Sequence, residues 1–328
     1  MKIEFTTPVL AELSNANVCN EPLFLHVERK VGELPDGVYC IASPFAFCVT
    51  KEVIESALRE LDDYDTVEIG DDSETLIKFS KNTGNNVKRI HHRTINSPFD
   101  FFEESEKIRM EIIYGHIGNG VIFTSVDGVV ISPGALIGKG TEIHAATEIR
   151  GDSVIGENCV LGPSSVISNS KIGDCAKVIS SHVYDSFVES GVSVGPFAHV
   201  KVGSNLSRGV RVGAFVEVKN SNIGEDTSAL HLTYIGDSDV GKKVNFGCGT
   251  VTCNYDGKNK YRTTVGDNVF IGCNTNLVAP VTLGDGSFTA AGSTIVEDLP
   301  KGSLGIARSK QTTKPGWADN KRAEGKLK

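Results

Sequence analysis

The chain has few aromatic residues, no C-x-x-C pair, no long apolar run and no surplus of positive charge, and each shortage removes a class of protein. Aromatic residues make up 7% of the 328 positions, whereas glycine occurs 35 times. That balance suits short strands and tight turns more than a helical bundle. The eight cysteines, Cys19, Cys40, Cys48, Cys159, Cys175, Cys248, Cys253 and Cys273, are scattered, without the C-x-x-C spacing of a zinc ribbon or redox motif. No stretch approaches the ~20 apolar residues needed to span a bilayer. Met1-Lys2-Ile3-Glu4 runs into polar residues with no secretory segment. A net charge of −8 argues against a nucleic-acid surface, which needs clustered Lys and Arg, but permits a local basic site for a small phosphate. The expectation is a soluble, cytoplasmic protein with reduced thiols and neither membrane nor nucleic-acid partners.

What the chain does have is a repeat. Ile131, Ile137, Ile143, Ile149, Ile155, Leu161 and Ile167 stand six residues apart, and Val265, Ile271, Leu277, Leu283, Thr289 and Ile295 resume the period. Four positions after most residues of the first run comes a small or hydroxyl residue: Ala135, Thr141, Thr147, Ser153, Cys159, Ser165. A period of six fits neither a helix nor one alternating strand. It fits a coil in which each hexapeptide supplies a flat face and a turn, with the aliphatic residue pointing inward and the small residue filling the corner. One coil cannot bury its inner face, so stability comes from stacking, and three hexapeptides per coil give roughly ten coils over residues 117–306.

The remainder divides around this repeat. Residues 1–96 lack the period and read as a small α/β domain. A helix is expected over Lys51–Leu61, with short strands at Val38–Ile41 and Thr75–Phe79. Ser97-Pro98 reads as a helix start, so residues 97–116 form a connecting helix, ahead of a β-helix over 117–308. Residues 309–328, with Lys310, Lys314, Lys321, Arg322, Lys326 and Lys328, form a basic tail.

The repeat fails at two places. Between Thr252 and Val265 lies the polar, basic segment Cys253-Asn-Tyr-Asp-Gly-Lys-Asn-Lys-Tyr-Arg262, and insertions in solenoids map to loops on one face, often the binding face. The coil pattern is also weak around His231-Leu-Thr-Tyr234. A lone histidine in a coil is more often a structural hydrogen-bonder than a base.

At these residues a resemblance becomes specific. Val194-Gly-Pro-Phe-Ala198, Val212-Gly-Ala-Phe-Val-Glu-Val-Lys219, His231-Leu-Thr-Tyr-Ile-Gly-Asp237, Thr252-Cys-Asn-Tyr-Asp-Gly-Lys-Asn-Lys260, Gly266-Asp-Asn-Val-Phe-Ile-Gly272 and Leu277-Val-Ala-Pro-Val-Thr282 occur in order. Over residues 103–317 the chain resembles the C-terminal acetyltransferase domain of the bacterial bifunctional glucosamine-1-phosphate N-acetyltransferase / N-acetylglucosamine-1-phosphate uridyltransferase. The resemblance implies a mainly β fold, a left-handed parallel β-helix of hexapeptide repeats with a small N-terminal α/β domain. Parallel crossovers are normally right-handed, so the handedness rests on the resemblance. The glycine-rich nucleotide loop ending in Gly-Thr-Arg-Met, which opens the uridyltransferase half of that family, has no counterpart in residues 1–110, and uridyltransferase activity is expected to be absent.

The same resemblance implies an acetyl-CoA-dependent transfer to the C2 amine of glucosamine 1-phosphate, giving N-acetylglucosamine 1-phosphate for UDP-N-acetylglucosamine synthesis. His231 is implied as the general base: an imidazole titrating near neutrality can accept the proton of the attacking amine at working pH. Lys201, Lys219 and Lys260 match positions that hold the sugar phosphate. Tyr234, Asn245, Asn254 and Tyr255 match positions that contact the sugar or neighbouring groups of CoA, and Tyr255 is assigned to the cofactor. Cys248, Cys273, Ala291 and Arg308 complete the acetyl-CoA contacts. The chain departs from the family at Lys201, where arginine is usual and grips phosphate with a planar fork. It departs also at Cys248 and Cys273, which replace alanine and serine. The family implies a homotrimer with acetyl-CoA bound between adjacent helices, and no metal.

Three other readings remain open at this level. The acceptor could be another amino sugar or a nucleotide-linked amino sugar. The chain could be a binding or scaffold protein that has lost turnover. It could also hold zinc through His182 and His199, although no third ligand stands at a matching spacing.

Overall fold

The structure, a computed structural model, describes residues 3–328 apart from 7–12, 14–15 and 82–83; of the secretory-segment reading, Met1 and Lys2 lie outside the described residues. From Ile122 to Gly305 the six-residue period becomes three parallel sheets, wound as successive coils of a β-solenoid. Face I has eleven strands, face II ten and face III nine. Face I runs from Ile122–Phe123 to Leu304–Gly305, face II from Val130–Ile131 to Thr294–Ile295 and face III from Leu136–Ile137 to Val281–Leu283. Each coil visits face I, then II, then III: Ser228–His231, Tyr234–Gly236, Ser238–Val240, then Asn245–Phe246 of the next coil.

The inward positions are the predicted ones. Ile131, Ile143, Ile149, Ile155, Leu161, Ile167, Val265, Ile271, Leu277, Leu283, Thr289 and Ile295 are all buried; Ile137 is partly buried and packs against the same core. In-register pairing stacks like on like, as in Ile149↔Ile167 and Phe246↔Ile271. The corner hydroxyls do more than fit. Thr141 Oγ1 donates to Gly156 O at 2.8 Å, and Ser165 Oγ donates to Val178 O at 3.0 Å, so each ties its corner to the next coil. A larger apolar residue would leave those carbonyls one donor short as well as overpack the corner.

The N-terminal residues build a five-stranded mixed sheet from β1 (Ile3–Phe5), β2 (Tyr39–Ala42), β3 (Thr66–Gly70), β4 (Thr75–Ser80) and β5 (Val87–His91), in the order β1-β2-β4-β3-β5. Helices α1 (Leu23–Val31) and α2 (Lys51–Glu60) accompany it, around a core of Leu23, Val27, Phe45, Phe47, Ile69, Leu76 and Phe79. Helix α3 (Pro98–Gly118) extends two residues past its expected end and joins the two cores, with Ile108 in the first and Ile113 in the second. It starts as its sequence predicts: Ser97 Oγ accepts from Asp100 N at 3.1 Å, with Pro98 in the first turn. Arg109 Nη1 donates to Val126 O and Val129 O at 3.0 and 3.1 Å, fastening α3 to the first coil. The tail forms a short helix, α4 (Trp317–Ala323). Among the described residues no helix is long and apolar enough to cross a membrane.

Candidate active site

The corner between faces I and II carries most of the predicted cofactor set. His231 ends its face I strand, exposed, in register with Ala214 of the preceding coil. The pairings Ala229↔Phe246, Phe246↔Ile271 and Ile271↔Thr289 then place Cys248, Cys273 and Ala291 in successive coils beyond His231. Backbone bonds bind this column, Asn274 N to Cys248 O and Gly292 N to Cys273 O, both at 2.8 Å. Arg308 returns to the same corner, its Cδ 3.8 Å from where a Cβ on Gly292 would sit. Neighbouring parallel strands lie ~4.8 Å apart, so His231 to Ala291 is a column of roughly 15 Å, long enough to follow an extended pantetheine arm. The coil bearing His231 seats closely because Gly213 has no side chain; a Cβ there would strike the Leu230 carbonyl. Thr233 Oγ1 donates to the His231 carbonyl at 2.8 Å, fixing the turn in which Leu232 adopts φ 44°.

Face II carries the predicted acceptor residues. Lys201 and Lys219 are register partners in adjacent coils, as are Glu217 and Tyr234. Lys201 Nζ is held by Glu217 at 2.8 Å, whereas no carboxylate lies within ion-pair distance of Lys219 among the described residues. The Tyr234 ring lies over Gly236, where its hydroxyl fills the space a Cβ would need. Asn254 Nδ2 donates towards that hydroxyl at 3.5 Å.

The corner between faces II and III anchors the inserted loop. Asn220, Asp237 and Asn254 stack one coil apart, and both amides donate to the buried Asp237 carboxylate. Arg262 grips Asp239 with two bonds, Nε to Oδ2 at 2.8 Å and Nη2 to Oδ1 at 2.7 Å, and also donates to Asn220 O at 3.2 Å. That guanidinium holds the Asp239 carboxyl below the usual carboxylate range. At the tip, Asp256 Oδ1 accepts from the backbone of Lys258 and Asn259 at 2.7 and 2.6 Å, which depresses its pKa in turn. The loop is thus an ordered hairpin, closed by a bridge between Tyr255 and Lys260, and it presents Lys258, Lys260 and the exposed Tyr255 outward.

The predicted residues other than Asn245 therefore fall into three groups in one chain. His231, Cys248, Cys273, Ala291 and Arg308 share the first corner. Lys201, Lys219 and Tyr234 share face II, with Asn254 at its far edge. Tyr255 and Lys260 project from the loop beyond that edge, so Tyr255 is separated from the other cofactor residues by the width of face II. Asn245 stands on face I, exposed, between Ser228 and Phe270. Sequence reasoning missed Glu217, Gly236, Asp237 and Arg262, although the 17-residue spacing of Asn220, Asp237 and Asn254 is a one-coil step visible in the sequence. His182 and His199 are register partners in adjacent coils and their rings meet edge to face, centroids 5.8 Å apart; burial followed by the Lys201 charge pushes His199 below the ordinary histidine value. Among the described residues no group of three His, Cys, Asp or Glu side chains is placed to hold a metal ion.

The bacterial transferase hexapeptide family (six repeats) matches residues 134–169 and 262–297. The bifunctional protein GlmU of Clostridium botulinum (Type A) is 40% identical over 314 residues, covering 92% of this chain and 64% of its own length. That of Clostridium perfringens (Type A) is 42% identical over 311 residues, 93% of this chain and 65% of its own. The solved structure of Arabidopsis UDP-N-acetylglucosamine acyltransferase is 16% identical, with a TM-score of 0.36, over 64% of this chain and 74% of that one. The chain thus spans just under two thirds of the length of the curated relatives it matches. A match over 92% of the chain does not fit within residues 97–328, so it takes in most of the first 96 residues too, correcting the narrower resemblance over 103–317 read from the motifs. The chain is a hexapeptide-repeat relative of the bifunctional GlmU proteins, matched to them along nearly all of its own length.

Proposed function

We propose that the chain is an acetyl-CoA-dependent N-acetyltransferase acting on the C2 amine of glucosamine 1-phosphate, within a homotrimer. One observation carries the reading: an exposed imidazole heads a column of small residues at one corner and adjoins a face bearing two stacked lysines. The column suits the thioester and its pantetheine arm, and the lysines suit the acceptor's phosphate.

In this reading the acceptor lies on face II, its phosphate beside Lys219 and Lys201 and its amine towards His231. The amine attacks the thioester carbonyl, and His231 removes the proton that the nitrogen must lose for the amide to form. CoA leaves as the thiolate and takes up a proton. Holding both reactants in line supplies much of the rate, since a well-oriented pair reacts as an intramolecular one. The general base adds about 10²–10⁴-fold. The hairpin carrying Tyr255 and Lys260 lies across face II from the column, and a neighbouring copy brings its own hairpin to that corner. This assigns Tyr255 to the cofactor of the adjacent subunit and accounts for the trimer.

Thiol release from acetyl-CoA with glucosamine 1-phosphate tests the reading. His231→Ala is expected to lower kcat by about 10²–10⁴-fold while leaving the circular dichroism spectrum and chain mass in solution unchanged; an unaltered rate would remove His231 from the mechanism. The Glu217 carboxylate on Lys201 supports a second acceptor class, because it leaves only part of that cation for a phosphate. Turnover of another amino sugar that lacks the 1-phosphate, with none of glucosamine 1-phosphate, would select that class.

A further inference from the structure

Cys248 and Cys273 differ from the other six cysteines in their position. They stand in register in adjacent coils, through the pairing Phe246↔Ile271 and the 2.8 Å bond from Asn274 N to Cys248 O. Adjacent parallel strands are ~4.8 Å apart, inside the ~4.4–6.8 Å range of Cα separations across which a disulfide closes. Both are free thiols, Cys273 exposed and Cys248 half-buried. By contrast Cys19, Cys40, Cys48 and Cys159 are buried, and burial pushes the first three up to about 12, so they stay protonated and inert. Cys253 faces Val278 in the next coil, and Cys175 is bonded through its backbone to Glu157.

We infer that Cys248 and Cys273 form a modification site for two-electron oxidants of the hydroperoxide class, which close the pair into a disulfide across the corner that His231 heads. One thiolate attacks a peroxide oxygen; the O–O bond breaks, hydroxide leaves and a sulfenic acid forms. The second thiolate attacks that sulfur, the S–O bond breaks, the S–S bond forms and a second hydroxide leaves; the two hydroxides take up the two protons that the thiols lost on ionising. In sum two thiols and hydrogen peroxide give one disulfide and two waters: the two sulfurs lose two electrons and the peroxide oxygens gain them. Cβ atoms in a disulfide sit ~3.5–4.5 Å apart, so closure draws the two corners together by a fraction of an ångström to about 1 Å. This happens directly beyond His231. Its effect on catalysis rests on the proposed acetyl-CoA reading; disulfide formation does not.

The test uses the reduced chain of 328 residues treated with hydrogen peroxide, quenched with a maleimide under denaturing conditions and weighed intact. A loss of two hydrogen masses, with two fewer maleimides per chain and reversal by dithiothreitol, is expected. Cys248→Ala and Cys273→Ser should each abolish that loss, and Cys253→Ser should retain it. Persistence of the loss in either of the first two variants, or an oxygen adduct without it, overturns the inference. In the same samples, thiol release from acetyl-CoA should fall by about 10²-fold on oxidation and return on reduction, each variant being compared with its own reduced form. If mass is lost as expected but no sample acetylates glucosamine 1-phosphate, the proposed function fails and the thiol pair stands.

Discussion

The Tyr234 ring lies across Gly236, two residues further along the same strand, with its hydroxyl in the space that any side chain at that position would need. Gly236 is buried, and its backbone donates to Thr252 Oγ1 at 2.8 Å, so the strand cannot retreat to make room. Gly236→Ala should therefore displace the phenol from Asn254 and raise the acceptor KM by about tenfold, with a stability loss of about 1–3 kcal/mol from overpacking. The check is a double-mutant cycle. In a Tyr234→Ala background the methyl group meets no ring, and Gly236→Ala should then change neither KM nor stability appreciably. An equal effect in both backgrounds would show that the glycine serves the backbone and not the tyrosine.

The extent to which this arrangement was legible in the sequence follows the physics of the repeat. A strict period of six, with aliphatic residues such as Ile149 and Leu277, can be satisfied only by stacking coils, so core and fold followed directly. The break after Thr252 marked the loop for the same reason. The assignment of residues to faces did not follow, because coil lengths vary: Ala229 to Phe246 is one coil and so is Phe246 to Ile271, the second lengthened by the hairpin. Only the register shows that Cys248 and Cys273 are neighbours while Tyr255 is remote from both. Arg262 was hidden because its partner Asp239 stands 23 residues earlier, off the 17-residue step that marks Asp237. The N-terminal sheet was only partly visible, since strands as short as Ile3–Phe5 carry too few residues for alternation to register.

Acidification should weaken the N-terminal unit through His26. Its ring is buried, with Nε2 2.7 Å from Val18 O, and desolvation lowers its pKa below the ordinary 6.5 despite that bond and nearby Glu21. Between the depressed folded value and about 6.5 the unfolded chain binds a proton that the folded chain does not. Stability therefore rises with pH through that window, and is lost as pH falls through it. Urea unfolding at pH 7.5 and 5.5 should give a lower midpoint at the acid end. His26→Gln, which keeps a donor for Val18 O without a titrating ring, should narrow the difference; a slope as steep as the parent's would place the proton elsewhere.

Arg262 is the strut of the hairpin. Its two bonds to Asp239 and one to Asn220 O join the loop's last residue to two earlier coils. The ion pair is partly exposed, so its loss should cost only about 0.2–1 kcal/mol of stability. Positioning is more sensitive, since a displacement of ~1 Å can lower a rate 10²-fold. Arg262→Ala should thus leave the melting temperature within a few degrees of the parent's while reducing kcat/KM by about 10–10²-fold. Asp239→Ala should reproduce it, and the double variant should be no worse than either. Additive losses would mean that the two residues act separately.

The width of face II between His231 and the hairpin yields the sharpest test of a shared site. If the imidazole of one chain works with the Tyr255 and Lys260 of a neighbour, a chain lacking the base and a chain lacking the loop lysine can complement each other. His231→Ala and Lys260→Ala should each be strongly impaired alone. Unfolded together in equal amounts and refolded as mixed trimers, they should recover about a quarter of parental activity, because in a randomly assembled ring with head-to-tail contacts a site takes its intact base from one variant and its intact lysine from the other with that frequency. A site built within one chain gives no recovery, since every chain in the mixture carries one of the two lesions.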